Sequence, residues 1–227
     1  MSTTTGNQQF VDSVLNDIIE PGVEQLMDSR YFTDLRAGKL TNRRIQGFAI
    51  QHYIHNMGIL KAAALGATQH AATDSSFMQY ATLLGEELTH PNMCKRLGYA
   101  TGLTERDFDT AVPVFGALAH TAVCVHGIFL VSLPEMLANA LSNETMVQRY
   151  ATEFDTYLQK EPYSLDDATR EFFIIHKGAD VEHTKRSANA IAEMATTDED
   201  QEKVRTMCRN MAKLKLGKFD SIYDEYA

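Results

Sequence analysis

Phe172–Arg186 reads FFIIHKGADVEHTKR. It contains three potential metal ligands, His176, Asp180 and His183, spaced by four and then three residues. Each helical residue advances by about 100°, so the three side chains fall within an arc of roughly 60° on successive turns. Phe172, Phe173 and Ala179 flank them, leaving that face otherwise apolar. Two imidazoles and a carboxylate in one register suit iron, manganese or zinc better than a soft metal. A helix that simply turns these groups to water is the plain alternative. Complementary ligands elsewhere in the chain weigh against it.

Outward from this segment the chain keeps a helical character. Proline occurs only at 21, 91, 113, 134 and 162, and Ala, Leu, Met, Glu and Gln are frequent. There is no Asn-Gly or Asp-Gly hairpin signal and no sustained period-two alternation, so the fold class expected is all-α, a bundle of roughly seven helices. A short helix from Asn7 should stop near Pro21. Thr41 is placed to N-cap a long helix reaching His70, with Ile45, Phe48, Ala49, Tyr53 and Met57 at helical spacing. Asp74 or Ser75 begins the next, which ends near His90-Pro91 because the residue before proline avoids the α region. From Pro113 an apolar stretch runs to Glu144, as one helix kinked at Pro134 or as two. Ser164 is expected to cap the helix of the opening motif, and a last amphipathic helix covers Asp198 to Tyr223. No linker or repeat divides the chain, so a single domain over 1–227 is expected, with residues 1–8 flexible.

The composition bounds the function. Net charge is −9, with 21 Lys and Arg against 30 Asp and Glu, and no basic run, which argues against nucleic acid as a partner. Cys94, Cys124 and Cys208 are odd in number and show no CxxC pairing, which fits a reducing cytoplasm. No signal-peptide pattern opens the chain, and no apolar run approaches the roughly 20 residues that span a bilayer. A cytoplasmic protein without membrane contact is expected.

A dinuclear site in a helical bundle draws ligands from several helices, and four positive charges need carboxylates beside them. Outside the opening helix the candidates are Glu86, Glu87 and His90, and then Glu135 or Glu144. Glu86 lies four residues before His90 and Glu87 three, so either carboxylate can share a face with the imidazole.

The segment HKGADVEH is similar to the closing His-x3-Asp-x2-His motif of the haem-oxygenase-like di-iron oxidases. AGKLTNRRIQGFAIQHYIHN (37–56) resembles that family's early Gly-x-Leu-Thr segment and second helix, and GEELTHPNMCKRLGYATGL (85–103) its Glu-Glu…His stretch. The resemblance covers most of the chain and implies the superfold shared with the thiaminase and pyrroloquinoline-quinone synthase groups. It implies a metal set of Glu86, His90, Glu144, His176, Asp180 and His183, with Glu87 and Glu135 as substitutes. Two Fe(II) ions with O2 as co-substrate would then oxidise a small amino-acid-like molecule in specialised biosynthesis. An external reductant is compatible with this chemistry. A fatty-acid decarboxylase of the same family, a ferritin-like metal-handling bundle and a metal-free binding module are the alternatives. Tyr53 and His55, on the second long helix, are candidates for the substrate pocket. The branch that builds para-aminobenzoate from its own tyrosines differs, since Phe32 and Asn143 stand at the corresponding places here. Cys124 lacks an evident basic neighbour in the sequence, which argues against a thiaminase-type nucleophile. The apolar fourth helix and the last helix suggest a homodimer.

Overall fold

The computed structural model describes residues 3–70 and 74–227; side chains at 3–6, 67–70, 74–77, 79, 80, 83 and 179–182 fall outside the described set. Among the described residues there are eleven α-helices and no strand. They are α1 (Thr3–Val14), α2 (Glu20–Met27), α3 (Arg30–Arg36), α4 (Asn42–His70), α5 (Asp74–Glu87), α6 (His90–Ala100), α7 (Glu105–Asp109), α8 (Phe115–Phe129), α9 (Leu133–Leu158), α10 (Asp167–Met194) and α11 (Asp198–Glu225).

The count exceeds seven because prolines divide segments instead of bending them. Pro21 sits in the first turn of α2, and a π-helical turn (Leu15–Ile19) joins α1 to it without a break. Pro91 sits likewise at the start of α6. Pro134 lies in the first turn of α9, so the apolar stretch forms two helices with no kink. A reciprocal capping box fixes that start: the Ser132 backbone N–H and hydroxyl donate to Glu135 Oε2 at 3.0 and 2.6 Å. The α10 cap is Asp166, which accepts from the Thr169 backbone N–H at 2.9 Å. Ser164, expected in that role, instead takes a positive φ of 49° in the preceding turn.

α9 and α10 form the most extensive helix pair, and α11 packs across α8 and α9. An aromatic centre locks these layers: Tyr31, Phe32, Phe48, Tyr150, Phe154, Phe173 and Phe219 are all fully buried. The Phe154 and Phe173 rings stack with centroids 4.4 Å apart. At one end of the pair the buried Arg170 is bonded to Asp155, whose other oxygen accepts from Lys177 Nζ at 2.5 Å. This clasp sets the register of α10 against α9. No described helix is long and apolar enough to cross a membrane.

Candidate metal centre and substrate cavity

The buried stripe of α4 continues from Ile45, Phe48 and Ala49 into His52, His55 and Asn56. The same i, i+3/i+4 progression that seats the core therefore carries polar side chains inward. They face a cavity of about 680 Å³ lined by residues of α4, α5, α8, α9 and α10, with His90 from the start of α6. One wall is apolar, with Ile59, Ile128, Met136, Leu137 and Val147. A second carries Glu86, Glu87, His90, Glu144, His176 and His183. The inner wall carries His52, His55, Asn56, Cys124, Asn139 and Asn143.

The second wall brings the sequence-derived ligand candidates together. His90 Nδ1 lies 2.6 Å from Glu87 Oε2, and the His90 and His176 ring centroids are 4.5 Å apart. His176 Nδ1–H donates to the Phe172 carbonyl at 2.6 Å. Burial, with His90 alongside, pushes His176 down to about 4, so the ring is neutral at pH 7 and its Nε2 lone pair stays available. Glu144 Oε1 stands 4.0 Å from His183 Nδ1. Asp180 lies on α10 in the register that carries His176 and His183, but its side chain is outside the described residues.

This donor chemistry suits iron. Imidazoles and carboxylates alternate on one wall, and His90 and His176 each engage Nδ1 with a second group, the arrangement that orients a metal-binding Nε2. Glu87, bonded to His90, takes the orienting position, while Glu86 reaches the cavity from a more exposed site. Glu135 is held at the start of α9 by its capping box and lines a separate surface groove with Val123 and Lys203.

Tyr53 does not line this cavity. It packs edge-on against Phe108 with centroids 5.2 Å apart, because residues 53 and 55 point about 200° apart on a helix. His55 takes the cavity-facing direction. Its Nδ1 lies 2.9 Å from Thr121 Oγ1, and the Thr121 hydroxyl donates to the Ala117 carbonyl, so His55 carries its proton on Nδ1. His120, read as a core histidine, is fully buried with its ring 4.8 Å from His55. It also stands 3.9 Å from Cys124 Sγ, one turn along α8, where burial holds the imidazole well below the usual histidine range. Burial also pushes the Cys124 thiol up to about 11 and the Cys94 thiol to about 12, so neither is an activated nucleophile.

Two residues behind the inner wall escaped the sequence reading. Lys215 and Lys218 are each 1% exposed. Along α11 the buried residues Val204, Cys208, Met211, Lys215, Lys218 and Ile222 follow a four-three-four-three-four spacing. Lysines at those two positions of an apolar stripe were the legible signal.

Residues 46–216 match the profile of a family described as iron-containing redox enzymes, and the chain belongs to that family, with its haem-oxygenase-like fold. A domain of unknown function with a heme oxygenase-like fold from Shewanella denitrificans OS217 superposes with a TM-score of 0.69 at 18% identity, over 98% of this chain and 90% of the other. A TenA homologue from P. horikoshii OT3 gives 0.77 at 15% identity, covering 95% and 98%. A TenA homolog from Pseudomonas syringae pv. tomato gives 0.78 at 14% identity, covering 95% and 93%. At these identities the likeness concerns the fold alone. No curated protein matches the chain by sequence.

Proposed function

We propose that this member of an iron-containing redox family is a non-haem di-iron oxidase or oxygenase that uses O2 to oxidise a small amino-acid-like molecule. The observation that carries the reading is that His90, His176, His183, Glu144 and the Glu86/Glu87 pair all line one cavity. Glu86, His90, Glu144, His176, Asp180 and His183 would hold two Fe(II) ions, with Glu87 orienting His90. The bound irons would supply the electrons for O2 reduction. The chain's own part is to fix ligand direction, neutralise the centre with carboxylates and exclude water. His176 serves this through the Phe172 carbonyl, which holds its ring in one tautomer. The apolar wall would seat the hydrophobic part of the substrate and keep it beside the ligand wall.

Three buried, unpaired cysteines support a cytoplasmic setting. The homodimer reading is supported by exposed apolar side chains on and beside α8, among them Val112, Phe115 and Leu118. Light scattering of the purified protein tests it.

Anaerobic Fe(II) titration followed by exposure to O2, monitored by visible absorption, tests the catalytic reading. Saturation at two irons per chain and a transient absorption on O2 addition are expected. A far larger uptake would indicate storage, and a His176→Ala variant with unchanged O2 consumption would refute the proposal.

A further inference from the structure

His55, His120 and Cys124 are all buried, and one ligand atom of each lies within 4.8 Å of the other two. His120 and Cys124 belong to α8, where a spacing of four residues puts them on one face a turn apart. His55 meets them from α4. None of the three is among the residues assigned to iron, so this donor set is a separate one. His55 and Cys124 line the cavity, which gives a small ion a path to the set.

The local hydrogen bonds leave these atoms available. His55 Nδ1–H donates to Thr121 Oγ1 at 2.9 Å, because the Thr121 hydroxyl is spent on the Ala117 carbonyl at 2.8 Å. The His55 lone pair is therefore on Nε2, and its ring is oriented through the other nitrogen, as metal-binding imidazoles are. His120 Nε2 faces Cys124 Sγ across 3.9 Å, at the far limit of contact with a thiol. His120 Nδ1 has no hydrogen-bond partner among the described residues. Burial keeps both imidazoles uncharged at pH 7, the form that binds a metal. A metal with sulfur at about 2.3 Å and nitrogen at about 2.0 Å in a trigonal plane sets those donors roughly 3.7 Å apart. The 3.9 Å approach nearly meets that separation, and the 4.8 Å bound leaves about 1 Å to close.

Two imidazoles with one thiolate select copper or zinc over the harder metals. Zinc closes a tetrahedron with a fourth ligand, and among the described residues no fourth His, Cys, Asp or Glu joins this group. Trigonal two-histidine, one-cysteine coordination is a copper geometry. Charge points the same way: Cu(I) with one thiolate is a neutral unit, whereas Zn(II) with one thiolate would leave a net positive charge in a buried place. We propose that His55, His120 and Cys124 form a three-coordinate Cu(I) site on the inner side of the cavity, distinct from the iron ligands. Binding replaces the Cys124 S–H bond by a Cu–S bond and releases the proton to solvent, with no change of oxidation state. Coordination removes the proton from a thiol that burial otherwise keeps protonated.

Anaerobic titration of the iron-free full chain with Cu(I), in competition with a colorimetric Cu(I) chelator, tests the site. The native chain should take one Cu(I) from the chelator, and X-ray absorption of the loaded protein should show one sulfur and two nitrogen neighbours. Cys124→Ser, which keeps the shape of the side chain, should weaken Cu(I) binding by about 100-fold or more, and Thr121→Val, which leaves His55 unoriented, by about 10–100-fold. Cys94→Ser and His176→Ala should leave Cu(I) affinity unchanged, which separates this site from the neighbouring thiol and from the iron wall. The absorption measurement on the native chain needs no variant. Absence of Cu(I) uptake, a spectrum without sulfur, unchanged binding by Cys124→Ser, or a chain that holds Zn(II) but not Cu(I) would overturn the proposal. Copper is loaded without iron or O2, so the result stands apart from the O2 test: a chain that binds Cu(I) here but takes up no Fe(II) refutes only the oxidase reading.

Discussion

Replacing Lys218 by methionine should make the protein more stable, although it removes a hydrogen bond. The side chain is 1% exposed and packs in the apolar stripe of α11. Methionine matches its length and apolar stem, so no sizeable cavity opens. The loss is the contact with His52 Nδ1, whose buried nitrogen is left without its partner at a cost of about 1–3 kcal/mol. The gain is relief from burying an ammonium or from stripping its proton, a penalty of several kcal/mol for a group without a carboxylate. The net expectation is a stabilisation of about 2 kcal/mol, which for a domain of this size raises Tm by about 4–8 °C.

The pH dependence supplies a second signature. Burial, with Lys215 nearby, holds the Lys218 amine well below the lysine range. In the unfolded chain the same lysine keeps its proton up to about pH 10.4. The unfolded state therefore binds more protons, and the native chain gains stability from this group as pH rises between the depressed folded value and the unfolded one. The variant lacks that gain, so its advantage is largest near neutral pH and shrinks toward pH 10. His52, His55, Cys94, Cys124 and Lys215 remain in both proteins, so the difference between the two curves reports chiefly on Lys218. Urea unfolding at several pH values measures it. A variant less stable than the native chain at pH 7, or an advantage that does not fall with pH, would refute the reasoning.

Asp155→Ala should lower unfolding stability by about 3–5 kcal/mol, because it leaves Arg170 buried without its main partner; a loss under about 1 kcal/mol in urea would show that the clasp is weak. Glu135→Ala should lower stability by about 1 kcal/mol through the lost capping box and leave iron stoichiometry intact, whereas Glu144→Ala should reduce stoichiometry; the reverse pattern would exchange their assignments. Tyr53→Phe should leave turnover unchanged, since the ring packs on Phe108 outside the cavity; a marked loss of activity would place it in the substrate site.

Much of the candidate site was legible before the fold was known. The spacing of His176 and His183 forces them onto one helical face whatever surrounds it, and both reach the cavity. Glu86, Glu87 and His90 are likewise close by local geometry. Spacing alone could not separate Glu135 from Glu144, since both lie on one helix and the choice depends on which face meets α10. Tyr53 and His55 were equivalent by composition. Only the position of α7, with Phe108, turned one outward and the other inward.

Helix content, caps and the ligand register follow from the amino-acid sequence because each depends on residues within a turn or two of one another. Thr41 lies within reach of the α4 start, its hydroxyl 3.3 Å from the Arg44 backbone nitrogen, as local chemistry requires. The cavity, the approach of His55 to Cys124 and the burial of Lys215 and Lys218 were decided only when α4, α8, α9 and α11 packed together. Those features come from residues such as His52 and Lys218, 166 positions apart. A lysine in sequence is by default a solvated charge; it becomes a buried donor behind a cavity wall only when the tertiary structure takes the water away.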